Sequence, residues 1–393
     1  MFIIFIFSTI FIIWGIIEQI SHQKRVNSIP IRIHINGTRG KSTTTRLIAA
    51  SLREAGFKVL AKTTGTLPRL IFEDGTETPL KRRGNPNIIE QLKIFKEAEK
   101  RNVDVLIVEC MAISPELQWV SEHKMVKSTI GVITNVREDH LEDVGPGLDS
   151  MAESLKLTIP QEGVLVTAEK NYLSFFKEHA DKLKTNIIWA DPDDVSSKII
   201  DKFHYMNFKE NVSIALRVNK FLGVKEDVAL RGMLKASPDP GALKIFKLVK
   251  EGKIIFFVNA FAANDRRSAL LIWENVKEIF DLSNLPVIGI VNSREDRVLR
   301  SIEFSRILAT DIMLSKIILV GPLSKLSERA LLKLKVPDNK ILNLRRITNA
   351  EEILQSVLRS INNKNKVILI GLGNTKGTGQ NLIEYFNKFG EIK

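Results

Sequence analysis

A chain of 393 residues, 44% hydrophobic and 26% charged, has room for two or three domains with a large core, and no long segment is biased enough to be disordered. Its one cysteine, Cys110, excludes an internal disulfide framework and suits a reducing cytoplasm; beside the apolar run Val105-Leu106-Ile107-Val108 it reads as a buried structural thiol. A net charge of +13 points to anionic lipid, or to an acidic polymer or nucleotide substrate; without a recognised DNA- or RNA-binding motif, and with few aromatics, nucleic acid is the weaker partner.

The charge-free run Phe2 to Ile17 reaches a spanning length of about 20 residues once Glu18 and Gln19 sit at the interface. Positive charge follows it, at Lys24 and Arg25, rather than preceding it as in a cleaved signal peptide. The expectation is therefore a membrane anchor over residues 1–20, single-pass, with everything after it in the cytoplasm.

From Pro30 the pattern becomes strand, turn, helix. Ile31 to Ile35 reads as a strand, Ser42 to Ala55 as a helix closed by Gly56, and Lys58 to Lys62 as a second strand. A helix over Asn87 to Arg101 follows, then strands at Val103 to Val108, Thr129 to Thr134 and Val164 to Val166. Ser237-Pro238-Asp239-Pro240-Gly241 reads as a hinge, beyond which strands recur at Ile254 to Val258, Val287 to Val291, Ile317 to Val320 and Val367 to Ile370. Strands alternating with helices predict an α/β protein: an anchor helix, a doubly wound parallel sheet over 28–240, and a second, smaller α/β domain over 241–393.

The densest chemistry is Gly37-Thr38-Arg39-Gly40-Lys41-Ser42-Thr43, between a strand and a helix. Glycines there turn backbone N–H groups toward phosphate oxygens, and the helix adds its positive end. Lys41 would pair with the β/γ-phosphates of ATP, and the Ser42 hydroxyl would ligate Mg²⁺. In an ordinary P-loop four residues separate the first glycine from Gly-Lys, but Ile35 stands at that position; the pattern is G-T-x-G-K-[ST].

That spacing resembles the Mur ligases and folylpolyglutamate synthases, with Arg39 replacing their usual asparagine. The resemblance implies roles for further residues. Glu109, ending an apolar strand, is similar to a Mg²⁺-ligating glutamate. Thr134-Asn135-Val136-Arg137-Glu138-Asp139-His140 resembles a segment whose histidine, here His140, binds a second Mg²⁺, with Asn135 and Asp139 in support. Lys156 stands on a lysine often carbamylated in the family, where the carbamate would orient metals. Thr63-Thr64-Gly65-Thr66 is similar to a loop over Mg²⁺ or the acyl group, and so marks Thr64. Asn207 to Ala215 and Val258 to Asp265 look like worn nucleotide-contact motifs that keep Asn211 and Asn259 but have Phe208, Ala242 and Ala263 where the family has other residues.

Chemistry alone marks three more loops. Arg82 and Arg83 offer cations to a carboxylate-bearing substrate, and are equally a solvated charge run. Arg294 and Arg297 in Asn292–Arg297, and Lys376 in Gly371–Gly379, sit among turn residues that suit either an anion or a simple turn.

Few residues precede the phosphate loop, and half of them are the apolar run, which leaves no room for a UDP-sugar-gripping domain. An anchored core with G-T-R-G-K-S, N-S-R-E-D-R and G-N-T-K-G-T-G resembles, over nearly the whole chain, the ligase subunits of poly-γ-glutamate synthases. The resemblance implies ATP-driven acyl phosphate formation on a chain carboxylate, attack by glutamate, closure across the hinge to exclude water, partner membrane subunits, and room for a homo-oligomer. The rival reading is a membrane-tethered P-loop ATPase or kinase for polymer export or assembly. It needs a Walker-B aspartate where Glu109 stands.

Overall fold

A computed structural model describes all residues except 1, 66, 67, 81–86, 140, 204, 206, 239–243, 262, 264, 265, 281, 284, 346, 362, 363 and 393. The chain divides into two compact units, Met1–Pro240 and Gly241–Lys393.

The first unit opens with one continuous helix, α1 (Phe2–Ser28). It does not end with the apolar run: it continues through Lys24 and Arg25, and Val26 and, just beyond the helix, Ile29 are buried with Phe95, Ala98 and Leu106. Eight strands follow: β1 (Ile31–Asn36), β2 (Val59–Lys62), β3 (Arg69–Ile71), β4 (Glu77–Pro79), β5 (Val105–Glu109), β6 (Ile130–Ile133), β7 (Val164–Thr167) and β8 (Asn186–Trp189). They form one sheet in the order β4-β3-β2-β5-β1-β6-β7-β8. The six from β2 to β8 are parallel, and their near-continuous Val, Ile and Leu match strands covered on both faces. The winding reverses at β1, which puts a crevice at its C-terminal end.

The helices of this unit are α2 (Lys41–Glu54), α3 (Glu90–Arg101), α4 (Pro115–Val120) running into a π-helical turn Ser121–Val126, α5 (Leu141–Val144), α6 (Gly147–Leu155), α7 (Leu173–Lys182), α8 (Ser197–Ile200), α9 (Lys209–Phe221) and α10 (Glu226–Leu234). α2 is enclosed by the sheet, α9 and α10. Gly232 lets α10 approach it: a Cβ there would lie 2.6 Å from the Ala50 carbonyl oxygen.

The second unit has its own sheet, ordered β13-β12-β11-β14-β10-β9-β15. Its strands are β9 (Ile245–Lys250), β10 (Lys253–Asn259), β11 (Val287–Asn292), β12 (Lys316–Val320), β13 (Ile341–Asn343), β14 (Lys366–Gly373) and β15 (Glu391–Ile392); its helices are α11 (Arg266–Ile279), α12 (Val298–Thr310), α13 (Ser324–Lys333), α14 (Ala350–Ser360) and α15 (Thr378–Phe389).

Both sheets are mixed rather than wholly parallel. Two of the antiparallel pairs are hairpins: Asp74-Gly75 lies in the β3–β4 hairpin, and Glu251-Gly252, both at positive φ (52° and 70°), close the β9–β10 hairpin in the handedness that matches strand twist; β2–β3 and β9–β15 are antiparallel as well.

Candidate active site

The phosphate loop leaves β1 at the crevice. Gly37 (φ 119°) and Gly40 (φ 82°) hold conformations that disfavour a side chain, and neither has space for one. A Cβ on Gly37 would lie 2.1 Å from Thr134 Oγ1, and one on Gly40 would lie 2.3 Å from Asn211 Oδ1. Between them the loop is clamped to Asn135: Thr38 N–H donates to its carbonyl (3.1 Å), Arg39 N–H to its Oδ1 (3.0 Å), and its Nδ2 donates to Arg39 O (3.0 Å). Arg39 also pairs with Asp139 at 3.0 Å. The N-cap of α2 is Gly40, which carries no capping side chain, so the first-turn N–H groups of Lys41, Ser42 and Thr43 remain available to an anion. Lys41 Nζ folds back onto the Gly37 and Thr38 carbonyls, at 2.6 and 3.3 Å.

Glu109 ends β5, whose register sets it beside Ile35. The side chain is buried, and Oε2 accepts two hydrogen bonds of 2.8 Å, from Ser42 Oγ and Thr64 N–H. Thus three elements distant in sequence meet at one carboxylate oxygen. A hydroxyl and a carboxylate are hard oxygen donors that suit Mg²⁺, which binds few protein ligands and completes its shell with phosphate oxygens and water. Among the described residues no group of three His, Cys, Asp or Glu forms a fuller cage. Asn211, on α9, accepts from Thr44 Oγ1 at 3.3 Å and lines the loop's far side.

Other sequence-marked residues lie elsewhere. Lys156 follows α6; its ammonium pairs with Glu153 and sits 5.1 Å from the centre of the Phe175 ring. His140, Arg82 and Arg83 lie outside the described residues. In the second unit Asn259 ends β10, buried, with its N–H donating to Lys244 O at 2.9 Å. Arg294 pairs with Asp296 at 2.6 Å, Arg297 N–H donates to Arg294 O at 3.2 Å, and the Lys376 carbonyl accepts from Asn292 Nδ2 at 2.9 Å. β11 and β14 are neighbours, so the loops carrying Arg294, Arg297 and Lys376 emerge side by side at one sheet edge.

Asn292 and Asn374 couple those loops through reciprocal amide bonds of 2.6 and 3.0 Å, and sequence reasoning gave neither a separate role. It also missed Lys62, fully buried at the end of β2 with Gln91 Oε1 at 3.4 Å and Glu90 at 3.6 Å; a lysine closing an apolar strand just before Thr63-Thr64 was the signal. Beneath the phosphate loop Asn36 Nδ2 donates to Gln118 Oε1 (2.9 Å) and Thr158 Oγ1 (3.1 Å). His34 Nδ1 lies 2.7 Å from Glu122 Oε2. Burial opposes charge on His34, but the facing Cys110 sulfur and Glu122 carboxylate push its pKa up to about 10.

Residues 35–236 match the Mur ligase middle domain, and residues 245–389 the poly-gamma-glutamate synthase CapB C-terminal domain. The chain is 45% identical to the capsule biosynthesis protein CapB of Bacillus anthracis, over 98% of this chain and 82% of that one. It is 39% identical to the PGA synthase CapB of Bacillus subtilis, over 99% and 98%. Among solved structures, the bifunctional folylpolyglutamate synthase/dihydrofolate synthase from Yersinia pestis complexed with AMPPNP and Mn ion superposes with a TM-score of 0.67 at 15% identity, covering 94% of this chain and 91% of that one. E. coli FolC in complex with ADP gives 0.65 at 14%, covering 94% and 92%. At such identities the likeness is one of fold.

Proposed function

The chain belongs to the Mur ligase superfamily and, within it, to the poly-γ-glutamate synthase ligases; on that premise we propose that it elongates poly-γ-glutamate by activating a chain carboxylate as an acyl phosphate and passing the acyl group to the amine of glutamate. It is an ATP-dependent amide ligase that uses a divalent metal.

A carboxylate is a poor electrophile because its leaving group would be oxide. Transfer of the γ-phosphoryl group from ATP to a carboxylate oxygen releases ADP and gives phosphate as leaving group. The glutamate nitrogen then bonds to the acyl carbon, the C–O bond to phosphate breaks, and the amine loses a proton. The observation that carries this reading is the Glu109 oxygen held 2.8 Å from Ser42 Oγ at the start of α2. In the reading, Gly37 to Thr43 hold the triphosphate, Ser42 and Glu109 hold a Mg²⁺ that offsets phosphoryl charge, and Lys41 leaves its carbonyls for the phosphates. Thr64, whose N–H donates to the same Glu109 oxygen, is assigned to the acyl side of the site.

A second ion at His140 and a carbamate on Lys156 rest on resemblance, and the carbamate requires Lys156 to exchange Glu153 for that ion. Arg294, Arg297 and Lys376 are assigned to the incoming carboxylates, Asn211 and Asn259 to the nucleotide side. Partner membrane subunits and an anchoring role for α1, an apolar helix long enough to cross a bilayer, belong to the same proposal.

The test is membranes carrying the chain, incubated with ATP, Mg²⁺ and labelled glutamate, with ADP and labelled polymer scored together. Lys41→Ala should lower both by about two to three orders of magnitude. Unchanged turnover would remove the loop from the mechanism.

A further inference from the structure

The direction in which α1 leaves the first unit fixes which edge of the sheet lies next to the membrane. Its end is packed between two helices that run the same way. His22 meets the Phe95 ring at 5.2 Å and Arg25 Nε reaches Glu99 at 3.2 Å, so α1 and α3 are parallel. His22 Nε2 lies 2.8 Å from the Met125 carbonyl, and Gln23 bonds Lys127, so α1 also parallels the α4–π-turn helix.

Both neighbours begin at the C-terminal edge of the sheet. The start of α3 is tied there by Lys62 at the end of β2 (Gln91, 3.4 Å), and α4 by Asn36 at the end of β1 (Gln118, 2.9 Å). The apolar part of α1 therefore projects past the edge that carries Gly37, Ser42 and Glu109.

Helix rise gives the height. The start of α3, at Glu90, is about 7.5 Å before Phe95, level with Ile17; Trp119 is about 9 Å before Met125, level with Ile16. At and beyond that level the flanking segments expose large apolar side chains, Ile89 (53%), Ile113 (38%), Leu117 (44%) and Trp119 (41%), with the exposed carboxylate of Glu116 among them. One to two turns behind them come exposed Lys93, Lys96 and Lys124, the last with its ammonium 5.2 Å from the centre of the Trp119 ring. An apolar tip with a basic band behind it, beside a span, is the pattern of a surface seated in the headgroup region of an anionic leaflet.

We propose that the catalytic edge of the first unit is turned toward the bilayer, with Ile89, Ile113, Leu117 and Trp119 in the headgroup–acyl boundary and Lys93, Lys96 and Lys124 against anionic headgroups. This rests on the reading of α1 as an anchor. Lys41, Ser42 and Glu109 then work at the leaflet surface, and the polymer end is elongated within reach of the membrane.

The full chain is reconstituted into phosphatidylcholine/phosphatidylglycerol vesicles whose acyl chains are brominated near the headgroup. A fluorescent label is placed at Ile89→Cys, Trp119→Cys or, at the opposite sheet edge ahead of β8, Lys184→Cys; all three positions are exposed, and the native Cys110 is buried. Bromolipid should quench the labels at 89 and 119 several-fold more than the label at 184. Equal or reversed quenching in chains that float with the vesicles would overturn the orientation while leaving the anchor intact. A chain that fails to float would overturn the anchor reading and this one with it. Because no other protein is present, quenching at 89 and 119 assigns the surface to lipid, whereas its absence in floating chains leaves the face to a partner protein.

Discussion

Gly40 shows how little latitude the phosphate loop has. Its φ of 82° and the 2.3 Å that would separate an added Cβ from Asn211 Oδ1 act together, so Gly40→Ala both strains the backbone and pushes α9 away. Strain of that kind costs about 1–3 kcal/mol, and the variant should melt earlier and lose ADP affinity, read by calorimetry of both. A wild-type ADP affinity would show that the loop tolerates the shift. Glu109→Gln is a different test, since the amide oxygen can still accept from Ser42 and Thr64 while the charge is gone. Glutamate-dependent ADP release should fall by about two to three orders of magnitude, and the Mg²⁺ concentration for half-maximal rate should rise; a rate loss that Mg²⁺ does not influence would argue for a purely structural carboxylate. At His34 the sign is set by a folded pKa of about 10, above the ordinary 6.5. The contacts of the charged imidazole with Cys110 and Glu122 therefore contribute their full stability below about pH 6.5 and lose it as pH rises through about 10. The stability advantage of wild type over His34→Gln, from urea unfolding, should shrink across that window, and a pH-independent difference would refute the pairing. Lys41, Ser42 and Glu109 could be singled out in the sequence because each stands in a short motif of adjacent residues, and the fold brings the Ser42 hydroxyl onto the Glu109 carboxylate. Asn211 against Gly40, or Gln118 under Asn36, was not, because each partner lies far along the chain and only the fold supplies the contact.

Among the elements, α1 has two chemistries along one axis. Ile10 and its neighbours are exposed, whereas Val26 and, just past the helix, Ile29 are 1% exposed and complete a core with Phe95 and Leu106. Ile29→Ala should destabilise the first unit by about 2–5 kcal/mol, and Ile10→Ala should leave it unchanged, both measured by thermal unfolding in detergent. Equal effects would mean that the segment joining α1 to β1 is not part of the fold. The central strands were readable because burial on both faces makes them apolar throughout. The helix tail was not, because Lys24 and Arg25 interrupt the apolar pattern just where the buried positions narrow to one side. The short strands β3 and β4 were missed for a related reason: three residues each give no periodicity, and their signal was the Asp74-Gly75 turn between them.

For the molecule as a whole, the surplus of 58 Lys and Arg over 45 Asp and Glu has an energetic meaning only against a polyvalent partner. A single glutamate carries one net negative charge, so a diffuse positive field changes its local concentration little. A poly-γ-glutamate chain carries a charge on every unit, and its attraction sums over many weak contacts. Raising salt from 0.1 M to 1 M shortens the screening length from about 10 Å to about 3 Å, which cuts contacts beyond the immediate site. The KM for a long polymer acceptor should therefore climb steeply with salt while the KM for free glutamate changes little, in initial-rate assays that vary one substrate at a time with ATP saturating. A polymer KM as flat as that of glutamate would confine recognition to the chain end and leave the basic surplus to the membrane, where vesicles of neutral and anionic lipid would then be expected to hold the protein with different salt sensitivity.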